Sequence, residues 1–448
     1  MTSINLTTLG CPKNMVDSRH LMESLVSNGF VPVGNPEEAD IILVNTCGFI
    51  RDAKEESISE ILKLAVLKKG PGKQPRKLVV FGCLAQRYMD ELLREIPEID
   101  GIWGVGEDES IIEYCKGVEV RKAGRQEAGS ASELPSFSPS FAYLKIAEGC
   151  DKKCTFCVIP SIRGKFRSIS PEDILGEARA YVKDGVRELI IVAQDITNYG
   201  REWKEYNLLS LLKDLVAIEG DFRIRLLYLY PTEITNELLD LMASEEKICK
   251  YLDIPLQHSE DRILRLMGRR GTRKEYEKLI RTIRRKIPGV ILRTTFIVGF
   301  PTETEEDFRG LVDFVEETRF DRLGVFTFSK EEGTPSSKLK GQIPERTKKR
   351  RQDEIMGRQA AISLEKNMEM IGKKSRMIVD EADEKVIIGR LCSHAPEIDG
   401  VVIIERLEGP QFGSLEARKA GSDVAVGNLI DVEIVDAYDY DLKGKVIQ

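Results

Sequence analysis

The chain has 448 residues, 42% of them hydrophobic and 31% charged, with a formal net charge of -7. That length supports two to four domains with substantial cores, in a composition usual for soluble globular proteins. No apolar run approaches the ~20 residues of a membrane helix, MTSINLTTLG lacks the features of a secretory signal, and the net acidity argues against a chain-wide nucleic-acid footprint.

These features place the protein in the cytoplasm, where disulfides are rare. Its nine cysteines are therefore read as ligands, nucleophiles or core residues, and the odd count points the same way.

The first ~130 residues alternate strand-like and helix-like segments. INLTTLG (4–10) precedes a helical 15–28, IILVNT (41–46) precedes 52–68, and KLVVFG (77–82) precedes 86–95. Such βα units imply a parallel sheet. Each of the three strands is followed immediately by a cysteine, at Cys11, Cys47 and Cys83, separated by 36 and 36 residues. Successive parallel strands put their C-terminal ends along one edge, so these three thiols converge there. Two readings stand at this point: three buried core cysteines, or a three-thiolate iron-sulfur site with one open iron.

GRQEAGSASELPSFSPS (124–140) reads as a linker. Beyond it lie six candidate strands separated by helical stretches: 142–148, 188–194, 223–229, 251–256, 291–299 and 322–329. Ser170-Pro171-Glu172-Asp173 is a helix start signal, and Thr272 with Glu275 fits a capping box. Six βα units predict a partial barrel. The first of these strands runs into GCDKKCTFC, with Cys150, Cys154 and Cys157 in C-x3-C-x2-C spacing. Three thiolates on one loop hold three irons of a 4Fe-4S cluster and leave the fourth open to a small molecule. A structural zinc wants four ligands, and no fourth cysteine or histidine is near in sequence. Strand-end residues Gln194, Asp195, Gln257, His258 and Gly299 are candidates to line the same pocket. A charged helix over 345–370 leads to short strand-like runs among Gly, Pro and Asp turns, which predict a small all-β barrel.

The C-x3-C-x2-C loop, with Phe156 at its aromatic position, resembles the radical S-adenosylmethionine (SAM) enzymes. In that superfamily SAM chelates the open iron through its amino and carboxylate groups, and one electron cleaves SAM to methionine and a 5'-deoxyadenosyl radical. With three strand-end cysteines ahead of such a barrel and a small β-barrel behind it, the whole chain resembles the radical SAM methylthiotransferase family. The resemblance implies an N-terminal α/β domain (1–123), a linker (124–140), a radical SAM partial (β/α)6 barrel with its bridging helix (141–370) and a TRAM β-barrel (371–448). It also implies two 4Fe-4S clusters, an auxiliary one on Cys11, Cys47 and Cys83 and a SAM-reducing one on Cys150, Cys154 and Cys157. SAM contacts are expected at Phe156, Gln194, Asp195, Gln257 and Gly299. In the implied cycle one SAM methylates sulfur on the auxiliary cluster, a second yields the radical that removes a substrate hydrogen, and the carbon radical takes the methylthio group. A low-potential electron donor such as flavodoxin or ferredoxin, and a sulfur donor, are the implied partners.

Two branches of that family differ in substrate: adenosine in transfer RNA, or an aspartate β-carbon in small-subunit ribosomal protein twelve. Gly10-Cys11-Pro12-Lys13-Asn14, YLDIPLQH (251–258) and APEIDG (395–400) resemble the protein-directed branch, the tRNA-directed one having Gln-Met-Asn after its first cysteine. The last 78 residues carry a net charge of -5, which repels RNA phosphates and suits a basic protein substrate. The sequence departs from its apparent relatives at Arg19, where glutamate is frequent, and at Thr302, where glycine is common. A non-enzymatic iron-sulfur protein is the opposing reading, though structural clusters normally take four protein ligands.

Cys115, Cys249 and Cys392 have no motif spacing and are read as structural, and His20, His258 and His394 are scattered. GRRGTRK (268–274), RTIRRK (281–286) and KKRR (348–351) are read as solvated helix faces, with a ribosome-facing patch as the alternative.

Overall fold

In a computed structural model, residues 1–68, 77–118, 140–406 and 424–447 are described. Apart from Ser140, the expected linker lies outside these, as does the end of the expected N-terminal domain. The described residues form two compact units. The first takes the N-terminal part of the chain with 148–152 and 157–166, and the second takes the rest.

The first unit is built on five parallel strands: β1 (Ser3–Thr8), β2 (Val31–Pro32), β3 (Ile41–Thr46), β4 (Lys77–Gly82) and β5 (Gly101–Trp103), in the order β2-β1-β3-β4-β5. The three expected strands are its centre, while β2 and β5 are too short to give a sequence signal. Helices α1 (Pro12–Ser27), α2 (Arg51–Val66), α3 (Cys83–Glu95) and α4 (Asp108–Gly117) connect and cover it. Strand β3 is buried along its whole length, as a strand covered on both faces must be. Two apolar layers result, one around Ile42, Val44 and Val80, the other around Ile4, Leu43 and Val79.

The second unit opens with β6 (Ala142–Lys145), followed by the two-residue β7 (Ala147–Glu148) and β8 (Arg167–Ser168). Then come β9 (Glu188–Val192), β10 (Arg223–Leu226), β11 (Ile248–Asp253), β12 (Ile291–Val298) and β13 (Arg322–Thr327). With β6 these form a six-stranded parallel sheet in the order β13-β12-β11-β10-β9-β6. All six expected strands are present and in sequential order, the topology of a partial barrel.

Its helices are α5 (Ile159–Ile162, counted with the first unit), α6 (Pro171–Lys183), α7 (Leu208–Val216), α8 (Asn236–Ser244), α9 (Asp261–Leu266), α10 (Arg273–Lys286) and α11 (Glu305–Thr318). Ser170 caps α6 by accepting from the Asp173 amide. At α10 only half of the expected capping box forms: Glu275 takes the Thr272 hydroxyl instead of a backbone amide. A full box forms at α11, between Thr304 and Asp307.

Helix α12 (Glu345–Met368) leads into a closed barrel of β14 (Lys374–Ala382), β15 (Val386–Arg390), β16 (Val402–Glu405), β17 (Leu429–Ala437) and β18 (Leu442–Val446). Closure removes free strand edges, and Met377, Val379, Val402, Ile404, Val432 and Ile434 fill the interior. This barrel docks on the six-stranded sheet through buried charge. Glu188 pairs with Arg225 at 2.5 Å and Arg390 at 3.2 Å, and Arg390 also holds Asp380 at 2.7 Å. Tyr251 donates to Asp399 at 2.7 Å and Tyr143 to Glu397 at 2.6 Å. YLDIPLQH and APEIDG, far apart in sequence, therefore meet through Tyr251 and Asp399.

Candidate iron-sulfur centres

Strand register explains how the first three cysteines come together. Ile41 pairs with Lys77 and Asn45 with Phe81, an offset of 36 residues, and Ile4 pairs with Ile41, an offset of 37. The sequence spacing of 36 thus matches the register to within one residue, so Cys11, Cys47 and Cys83 leave the sheet at one level. Cys11 is the N-cap of α1 and Cys83 the first residue of α3, where unpaired amides and the helix dipole favour anionic sulfur. Cys47 is fixed by Ser57, whose hydroxyl accepts from its amide at 3.0 Å and donates to its carbonyl at 3.1 Å.

The approach is close enough to demand glycine. Gly10 has φ +97°, and a Cβ there would lie 2.7 Å from Cys47 Cβ and 3.0 Å from its Sγ. Asn14 ties the strand ends together. Its amide nitrogen donates to the Leu9 carbonyl at 2.8 Å and the Thr46 carbonyl at 3.2 Å, and its Oδ1 lies 3.8 Å from Cys83 Sγ. Asn45 donates back to the Asn14 carbonyl at 3.0 Å and to Ser18 at 2.9 Å. The Asn of Gly-Cys-Pro-Lys-Asn is therefore a structural tie.

The three thiols feel one another. Burial pushes the Cys47 thiol up to about 12, against a backbone hydrogen bond at Phe49, and Cys11 and Cys83 add to the rise. Burial also raises Cys83, with Arg163 opposing. Such a site ionises fully only when metal and cations share the charge. Arg163, which the sequence reading did not single out, supplies a cation: it shares Asn14 Oδ1 with Cys83 and opposes the rise of both Cys83 and Cys47. Its only sequence signal is its place just after the second cysteine loop.

The residues of that second loop are divided between the units, 150–152 and 157 counted with the first and 153–156 with the second. In the first, the Cys150 amide donates to the Gly164 carbonyl at 3.1 Å. In the second, Thr155 donates through its amide to the Met267 carbonyl at 2.9 Å and through its hydroxyl to the Leu266 carbonyl at 2.7 Å. Cys154 Sγ lies 3.9 Å from Nη1 of Arg269, whose guanidinium stacks on Tyr230 at 4.1 Å and donates to the Pro255 carbonyl at 2.6 Å. Arg269, from GRRGTRK, is thus inside the site and not on a solvated face.

Among the described residues no three His, Cys, Asp or Glu side chains converge on a point as the ligands of one metal ion do. A four-iron cluster asks for something else, because each thiolate binds a different corner. Two buried thiols and a half-buried one, glycine-close backbones and an adjacent guanidinium fit that requirement at the first triad.

The remaining expected residues fall at strand ends of the second unit. Phe156 packs on an apolar cluster of Met267, Phe300 and Phe328. Gln194 is half-buried just beyond β9. Gln257 has φ +74° and bridges to β12 through Thr295 and Ile297, leaving a bulky residue in a strained turn at the mouth of the sheet. Asp195 caps a turn, accepting from Thr197 and Asn198. Gly299 has φ +73°, and a Cβ there would lie 2.3 Å from the Lys348 side chain, so its duty is to let α12 pack. His258 is buried and accepts from the Glu260 amide at 3.0 Å.

The other basic segments are largely spent on ion pairs. Lys348 and Arg351 are buried, Arg351 holding Glu303 at 2.7 Å, while Lys286 pairs with Asp240 at 2.5 Å. Cys249 and Cys392, unrelated in sequence, lie near enough for each to shift the other's ionisation, Cys249 upward and Cys392 downward.

Comparison with known proteins bears on the family. The chain matches models of the Radical SAM superfamily over 144–315, the uncharacterized protein family UPF0004 over 3–104 and the TRAM domain over 371–447. It is 54% identical, across 100% of both chains, to a ribosomal protein uS12 methylthiotransferase RimO of Thermodesulfovibrio yellowstonii. A RimO of Desulfitobacterium hafniense is 44% identical over 99% of this chain and 98% of its own. The chain belongs to the RimO methylthiotransferase family. As in that family it is a transferase, and its radical SAM domain brings an iron-sulfur cluster and SAM as cofactors. In fold it is similar to the radical SAM methyltransferase TsrM of Kitasatospora setae, with TM-score 0.54 and 14% identity over 72% of this chain and 73% of that one. No helix of the described residues is long and apolar enough to cross a membrane.

Proposed function

We propose that this protein transfers a methylthio group to the β-carbon of an aspartate in small-subunit ribosomal protein uS12. The observation that carries the reading is the gathering of Cys11, Cys47 and Cys83 at one sheet edge, in a chain that also holds the C-x3-C-x2-C loop. Cys11, Cys47 and Cys83 would hold one 4Fe-4S cluster, and Cys150, Cys154 and Cys157 a second. When bound, the clusters and SAM supply electron transfer, methyl transfer and radical chemistry.

The chain's own residues prepare the places. Asn14 and Gly10 hold three backbone ends together, and Ser57 fixes the Cys47 loop. Thr155 and Arg269 fix the stretch around Cys154. Phe156, Gln194 and Gln257 are the proposed SAM contacts, with Asp195 and Gly299 shaping the adjoining strand ends. The electron comes from a low-potential donor of the flavodoxin or ferredoxin kind, a separate donor supplies sulfur, and the reaction takes place in the cytoplasm.

The test is mass spectrometry after anaerobic reconstitution with iron and sulfide, followed by dithionite and SAM. A methylthio mass gain on uS12 is expected. A gain on transfer RNA with uS12 unchanged would overturn the substrate assignment.

A further inference from the structure

Arg163 lies beyond the second cysteine loop, yet its side chain is only 1% exposed and belongs to the first unit. Its Nη2 donates to Asn14 Oδ1 at 2.6 Å and to Asp17 Oδ2 at 3.0 Å, and its Nη1 reaches both Glu148 oxygens at 3.0 and 2.9 Å. Asn14 Oδ1, which takes the Nη2 hydrogen, also lies 3.8 Å from Cys83 Sγ, so the guanidinium stands one side-chain atom away from that thiol.

Removing a guanidinium from water is costly and is offset only by well-placed negative charge. Asp17 and Glu148 provide two such charges, but each is still 17–18% exposed, whereas the Arg163 guanidinium is buried where Asn14 Oδ1 joins it to Cys83. Asn14, held by Arg163, is also the residue that ties the strand ends bearing the first triad. Charge and position therefore meet in one side chain.

We propose that Arg163 is a positioning residue for the iron-sulfur cluster of the first triad, its fixed positive charge raising that cluster's reduction potential. This rests on the reading above that Cys11, Cys47 and Cys83 carry a cluster. Reduction adds one electron from the external donor to the cluster, and a cation beside the sulfurs stabilises the more negative, reduced form.

The test uses the full chain with Cys150, Cys154 and Cys157 all changed to Ala, so that only the first triad binds iron. Iron is counted, and the midpoint potential is read by electron paramagnetic resonance at poised potentials. Relative to this parent, Arg163→Gln should move the potential to more negative values. Arg163→Lys, which keeps the charge but not the planar fork, should stay near the parent. An unchanged potential in Arg163→Gln overturns the inference, and so does a lysine variant that shifts as far as glutamine. If Arg163→Gln holds no iron, the lysine variant decides: parent-like iron and potential support the charge role, and an empty site overturns it. A parent that holds no iron removes the two-cluster reading itself, and this inference with it.

Discussion

The two cysteine triads are assembled in opposite ways. Cys150, Cys154 and Cys157 sit on one nine-residue stretch, and the loop needs only anchoring. Cys11, Cys47 and Cys83 are brought together by the register of β1, β3 and β4 and locked by Asn14. A local triad tolerates distant change, whereas a dispersed one shares the fate of the sheet that gathers it.

The largest expected effect tests whether the triads work separately. Cys154→Ala should abolish 5'-deoxyadenosine formation while leaving iron at the first triad. Cys47→Ala should leave SAM cleavage and stop methylthio transfer. In each variant iron should fall from about eight to about four per chain, and a Cys47→Ala protein that retains all its iron would break the comparison.

Glu188→Gln separates the second unit from the first. It strips a buried carboxylate from Arg225 and Arg390 and should cost roughly 3–5 kcal/mol, read as a lower urea midpoint. Iron at the first triad should not change, since Glu188 belongs to the other unit.

Asn14→Ala probes the dispersed triad without replacing a cysteine. It removes donors from two backbone carbonyls, Leu9 and Thr46, at about 1–3 kcal/mol for each buried group left unpaired. The expected outcome is loss of iron from the first triad with SAM cleavage retained.

Acid gives the smallest effect. Burial, reinforced by Arg322, Arg225 and Arg390, holds His394 well below the usual histidine range. The unfolded chain therefore takes up a proton that the folded chain refuses, so stability falls as pH drops below the unfolded value of about 6.5, by at most ~1.4 kcal/mol per pH unit. Burial raises the Glu188 carboxyl, but Arg225 and Arg390 overcome this and hold it low. Its contribution is present above the unfolded value and is lost as pH falls through the folded one. His394→Gln should flatten the urea midpoint between pH 6.5 and about 5.5. An unaltered slope would remove His394 from the account.

Much of this was legible in the sequence because it is periodic or local. The six sheet strands after residue 140, the first-unit strands that run into a cysteine and the C-x3-C-x2-C loop all carry short-range signals. What escaped is the chemistry of long-range pairs. Arg163 has no periodicity to announce it and acquires meaning only when folding buries it against Asn14. Arg269 looked like part of a basic run, although its neighbour Arg270 is exposed and Arg269 is turned to Cys154. Tyr251 and Asp399 sit in stretches that seemed to be family markings, and their contact ties the C-terminal barrel to the sheet. Thr302 has φ +71°, which explains why glycine suits that position, and Arg262 holds the strained residue through two hydrogen bonds.

The order in which residues leave the ribosome gives the Arg163 contact another meaning. β1, β3, β4 and their three cysteines are all synthesised by residue 83, and N-terminal segments fold first during synthesis. The guanidinium that faces those thiols comes 80 residues later, after the second cysteine loop has emerged. On the proposed reading the first site is born without its cation and matures in two stages. A chain arrested before Arg163 should bind iron at the first triad less firmly than one arrested after it.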